Sequence, residues 1–99
     1  MSSLINKFDP IEKMVFEDGL RIKALHFHKD LGIMVVVLNN GKILKQELSC
    51  SSILPEANED QLNDFRLIGK GVGIHWPQLD EDISLKGLLQ EAFNKVGTI

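Results

Sequence analysis

The hydrophobic positions of this chain keep a period of two in its first half and a helical period near its end. Leu20-Arg21-Ile22-Lys23 alternates, Ala24-Leu25 slips phase by one, and His26-Phe27-His28 alternates again. Such a slip predicts a strand carrying a β-bulge. Ile33–Leu38 is apolar at every position, as suits a central strand covered on both faces. Asn40-Gly41 separates this run from Lys42–Leu48 and predicts a hairpin with a type I′ turn. Asp18-Gly19 carries the same signal, which makes Met14-Val15-Phe16 a short edge strand.

Beyond the loop Ser49-Cys50-Ser51-Ser52, Asn58 with Gln61 three residues later predicts a capped helix over Glu59–Phe65. Arg66-Leu67-Ile68 and Val72–Trp76 flank Gly69-Lys70-Gly71 as a small second hairpin, which Pro77 ends for want of an amide hydrogen. Leu85, Leu88, Leu89, Ala92, Phe93 and Val96 form one apolar stripe at helical spacing. Ser84 caps the start of that helix and Gly97 closes its end. Asp9-Pro10-Ile11-Glu12 either starts a helix or belongs to a frayed segment over residues 1–12. The expected fold is a single α+β domain over residues 1–99. It has a three- or four-stranded antiparallel sheet, a short helix, a small hairpin and a C-terminal helix packed on the sheet.

Composition limits what such a domain does. Of 99 residues, 43% are hydrophobic and 25% charged, which excludes a disordered tail or a disulfide-stapled mini-protein. The net charge of −3 has the wrong sign for non-specific binding of phosphate backbones. Residues 1–49 carry seven bases and six acids, and residues 50–99 carry four bases and eight acids. The acidic half is a solvated face or one that meets a basic partner. A single cysteine, Cys50, no membrane-length apolar run and no signal peptide fit a cytoplasmic protein.

Several residue sets carry candidate chemistry. His26 and His28 share a strand face, and His75 with Asp80-Glu81-Asp82 adds further metal-ligand types. His75 and those acids also suit proton transfer. A run of acids before a helix has a simpler role, however, as partner of the helix dipole, with Ser84 or Asp82 as the cap. Gly69-Lys70-Gly71-Val72-Gly73 lacks the following helix that a phosphate loop needs, and reads as a turn. Cys50 has no neighbouring base in sequence, and Trp76 reads as a core anchor. A nucleic-acid role requires Arg21, Lys23, Lys42 and Lys45 to share one sheet face.

The stretch Gly73-Ile74-His75-Trp76-Pro77, with Leu79-Asp80-Glu81-Asp82-Ile83-Ser84 and Gly87-Leu88-Leu89, resembles the closing signature of the prokaryotic family domain of unknown function 2442. The resemblance covers roughly residues 20–92. Two departures are Ser49-Cys50-Ser51-Ser52-Ile53-Leu54-Pro55, where many members are aromatic- and proline-rich, and Leu62, where many have arginine. The resemblance implies a small α+β fold with no established activity. It also implies, in some relatives, a place beside another small protein in pairs resembling toxin–antitoxin modules.

The reading that follows is a non-catalytic protein-interaction module without cofactor, of the kind that forms the antitoxin-like member of a two-protein system. Its partner is a small protein or a second copy, docked on an edge at Met14–Glu17 or Lys42–Leu48 near Glu47. The alternative is a metal-binding protein or enzyme using His75 with Asp80 and Asp82.

Overall fold

The computed structural model describes residues 9–97. Residues 1–8, part of the segment read as either frayed or helical, lie outside them. Helix α1 (Pro10–Glu12) begins at Asp9, whose Oδ1 accepts from the amides of Ile11 at 2.9 Å and Glu12 at 3.4 Å. Proline at the first helical position has no amide hydrogen to orphan.

The expected edge strand at Met14–Phe16 does not form. Lys13–Glu17 winds instead as a π-helical turn, closed by the bond from Asp18 N to Lys13 O at 2.9 Å. Winding puts Ile11 and Val15 on one buried side and leaves Phe16 exposed. The Arg21 guanidinium fixes the turn by donating to the carbonyls of Val15 at 2.6 Å and Leu20 at 2.8 Å. Asp18-Gly19 therefore ends a helical turn; Gly19, at φ +74°, takes the left-handed conformation common at such ends.

Strands β1 (Ile22–His28), β2 (Ile33–Leu38) and β3 (Ile43–Glu47) form an antiparallel sheet in that order, with β2 central as expected. The β1–β2 register shifts between Ile22 and Ala24, so the bulge anticipated from the phase slip lies at Lys23. It keeps both Ile22 and Leu25 on the buried face. The Asn40-Gly41 hairpin is present, but its turn is not type I′. Gly41 has φ +88° while Asn40 stays out of the left-handed region, and Leu38 N donates to Lys42 O across a three-residue loop. The expected burial of β2 on both sides holds for one: Met34, Val36 and Leu38 are buried, while Ile33, Val35 and Val37 are half-exposed.

Helix α2 (Glu59–Asn63) starts with the anticipated capping box, Asn58 Oδ1 accepting from Gln61 N at 2.8 Å and Gln61 Oε1 from Asn58 N at 3.0 Å. The small hairpin of β4 (Arg66–Ile68) and β5 (Gly73–Trp76) gains a third strand, β6 (Glu81–Ser84), giving a second antiparallel sheet in the order β4-β5-β6. Its first turn is joined to the first sheet by the bond from Ile22 N to Gly71 O at 2.8 Å. Helix α3 (Leu85–Gly97) follows β6 directly and touches β3, β6 and α1.

One core serves both sheets. Trp76 is fully buried, meets Phe27 edge-on at a centroid distance of 6.4 Å, and donates from Nε1 to Leu62 O at 3.0 Å. Leu85, Leu88 and Leu89 of the apolar stripe are buried and Phe93 is 45% exposed, while the side chain of Val96 lies outside those described. Lys86 reaches back to Glu12 at 2.7 Å. That hydrogen bond, reinforced by the carboxylate's charge, raises the lysine's pKa above its ordinary value. Its contribution is thus fully present below the ordinary lysine pKa and is lost as pH climbs through the raised one.

Candidate functional site

The closing signature falls on β5, the following turn, β6 and the first residues of α3. Alternation along β5 sends Ile74 and Trp76 inward and Gly73 and His75 outward. A Cβ on Gly73 would lie 3.3 Å from Ile83 O, so this glycine lets β5 and β6 pair closely. Pro77 follows the last residue of β5, and Leu79 is half-buried against the core. Asp80 turns the chain at φ +50°, a conformation that a short polar side chain tolerates. Ile83 packs inward, and Ser84 Oγ accepts from Gly87 N at 2.9 Å, the expected cap of α3.

The acids do not have the role expected of them. Asp80 lies in the turn, and Glu81 and Asp82 lie in β6, so none of the three sits in the first turn of α3. Glu81 accepts a hydrogen bond from the hydroxyl of Ser51, which also takes the amides of Ile53 at 3.0 Å and Leu54 at 3.3 Å. Ser51 thereby ties the loop after the first sheet to the second sheet. Nothing in the sequence marked it, because it stands 30 positions from its carboxylate in a plain serine run. Asp82 is opposite His75 in the ladder, and its Oδ1 is 2.5 Å from the histidine Nδ1. On the far side of His75 the register places Arg66.

The His75–Asp82 pair, flanked by Arg66 of β4, is a polar feature of the signature that packing does not demand. It lies on an open strand surface, with the two paired side chains 35% and 68% exposed. Clefts of about 270, 290 and 200 Å³ are lined by other residues, among them Met14 and Asn40, Lys29 and Pro55, and Cys50 and Glu91. His75 is not among the residues lining these three clefts. His75 and Asp82 are brought together, but Asp80 does not join them. Among the described residues no three His, Cys, Asp or Glu side chains are placed to hold a metal ion.

His26 and His28 are exposed on one face of β1, opposite Val35 and Ile33. Cys50 is exposed in the 3₁₀ turn Leu48–Cys50. The set Arg21, Lys23, Lys42 and Lys45 makes no common face, since the Arg21 guanidinium is committed to the carbonyls of Val15 and Leu20. The glycine set leads into β5, as its reading as a turn required. No helix among the described residues is long and apolar enough to cross a membrane.

Ser84 and Asp82 are separable by experiment. Ser84→Ala should lower the unfolding free energy by about 1 kcal/mol through loss of the cap. Asp82→Ala should cost less, within the roughly 0.2–1 kcal/mol of an exposed ion pair. Urea denaturation of both variants checks this, and the reverse order would reassign the cap.

Two small antiparallel sheets sharing one core, with a capped helix running out of the last strand, define a compact α+β domain whose signature residues mostly serve the fold. The chain belongs to the family "Protein of unknown function (DUF2442)", whose model matches residues 22–94. It is similar to a crystallised protein of unknown function from Rhodospirillum rubrum, with 30% identity, a TM-score of 0.64, and 73% of this chain and 87% of that one covered. An uncharacterised protein of Chromobacterium violaceum, solved by NMR, shares 25% identity at a TM-score of 0.65, covering 89% of this chain and 80% of the other. No curated protein matches the chain.

Proposed function

We propose that this protein is a non-catalytic protein-interaction module that takes a partner's strand along the edge of β3. The observation that carries the reading is the exposed side of the first sheet. Ile33, Val35 and Val37 are half-exposed there, and Ile43 beside them is 63% exposed. The bonds from Leu38 N to Lys42 O and from Leu48 N to Gly32 O set the phase of the β2–β3 ladder. In that phase the backbone groups of Ile43 and Lys45 point away from β2, toward an edge that no strand among the described residues pairs. Open edges of this kind are templates for strand addition, with backbone bonds giving affinity and side chains giving selectivity. The other edge considered, Met14–Glu17, is closed to this use because it is helical.

The antitoxin-like role that the resemblance implies for some relatives is the form this recognition takes when a companion protein is encoded alongside. Co-expression with the product of the neighbouring gene, tagged on one of the two, tests the reading. The two should co-purify, and Lys45→Pro should abolish the association while leaving the β2–β3 ladder intact, because the residue 45 amide faces outward. A neighbour that never co-purifies, together with a monomer that turns over a small molecule and loses that activity on His75→Ala, would replace this reading with an enzymatic one.

A further inference from the structure

We infer that the strand accepted at β3 is an acidic one, with a carboxylate set against Lys45 and an apolar residue set against Ile43. This rests on the edge of β3 being the recognition surface. On the outer face of β3, Lys45 stands opposite Val35 and Ile43 opposite Val37. Both are exposed, so an added strand meets a cation and an apolar side chain two residues apart on one face. The outward amides and carbonyls of these two residues supply the new ladder. Glu47, further along the strand, already has an interaction within the chain and takes no part.

Charge selects the occupant. Three other lysines are committed to oxygens of the chain itself: Lys13 to Asp18, Lys29 to the Pro55 carbonyl and Lys86 to Glu12. Lys45 makes no such contact among the described residues. An opposite charge directly across a strand pair is favourable and a like charge unfavourable, so a carboxylate on the added strand gains where a lysine or arginine loses. Beneath the edge the sign reverses. Glu91 of α3 lines the cleft there with Gln46, which is buried on the inner side, so an acid turned inward meets another acid. The partner strand thus carries its carboxylate on the outer face. Its apolar neighbour on that face extends the row that runs from Val37 to Ile43.

Two peptides test the selection on the intact chain: Thr-Glu-Thr-Val-Thr-Val with blocked ends, and the same peptide with lysine in place of glutamate. In antiparallel alignment the glutamate falls opposite Lys45 and the first valine opposite Ile43. Titrated into isotope-labelled protein, the glutamate peptide should shift the amide signals of Ile43 and Lys45. It should bind about two- to thirtyfold more tightly than the lysine peptide, a gap that narrows as salt is added. Lys45→Glu should reverse the ranking of the two peptides, which a loss of stability alone cannot do. Circular dichroism establishes that the variant is folded. Equal affinities, with both peptides shifting Ile43 and Lys45, overturn the acidic selection and leave the edge reading in place. No shift at those amides with either peptide overturns the inference as well, and the neighbour's co-purification then decides the edge reading separately. A ranking that Lys45→Glu leaves unchanged places the selection on another residue and equally overturns it.

Discussion

Trp76→Ala should reduce the unfolding free energy by about 3–5 kcal/mol, the range for deleting a large aromatic side chain from a core. The indole has no exposed surface and meets Phe27, which in turn meets Phe65 at 5.8 Å. Its loss opens a cavity between the two sheets and α2. It also strips the Leu62 carbonyl of its indole donor at 3.0 Å. A small domain holds only about 5–15 kcal/mol in all. The melting temperature should therefore fall by more than about 12 °C, at several degrees per kcal/mol. Trp76→Phe separates the two effects, keeping most of the ring and forfeiting about 1 kcal/mol with the hydrogen bond. Far-UV circular dichroism in urea is the measurement, since the alanine variant has no indole to report fluorescence. An unchanged midpoint would mean that the sheets do not share this core.

Gly71→Ala should cost about 2–4 kcal/mol, because this glycine is the buried end of an otherwise exposed turn. The glycine is at φ +120°, where an L side chain is strained by about 1–3 kcal/mol. A Cβ there would also sit 2.4 Å from Ile22 O and 2.8 Å from Ile22 N. The turn would have to withdraw, breaking the Ile22 N to Gly71 O bond and loosening the second sheet from the first. Gly41→Ala is the control. Gly41 is also at positive φ, but a Cβ there meets nothing within 4 Å, so only the roughly 1 kcal/mol of backbone strain applies. Equal losses for the two variants, measured by urea denaturation, would remove the close approach as a contributor.

The elements legible in the sequence are those in which local signals agree with tertiary demand. The capping box at Asn58 and Gln61, the Leu85–Leu88–Leu89 stripe and the bulge before Leu25 each state one solution, and the chain adopts it. Asp18-Gly19 states two. The same dipeptide turns a hairpin or ends a helix, and the Arg21 guanidinium, supplied from just before β1, decides between them. Strand β6 was hidden for a different reason. Glu81 and Asp82 are poor strand formers, and their extended conformation comes from pairing with β5, which overrides propensity. The His75–Asp82 contact was legible as residue types and not as a pair, because it depends on that unread strand. The exposed half of β2 was misread for want of contrast: an unbroken apolar run cannot say which of its faces is covered.

The contact between α1 and α3 bears on the order in which the chain is completed during synthesis. Glu12 and Lys86 are 74 positions apart. At a ribosomal rate of about 5–20 residues per second, roughly 4–15 s separate the making of one from the making of the other. Throughout that interval Ile11 of α1 waits without the helix that α1 packs against. The three strands from Ile22 to Glu47, whose contacts close over short distances, are free to assemble meanwhile. The nascent domain thus acquires its middle first, and its two ends are secured together as the final act of folding.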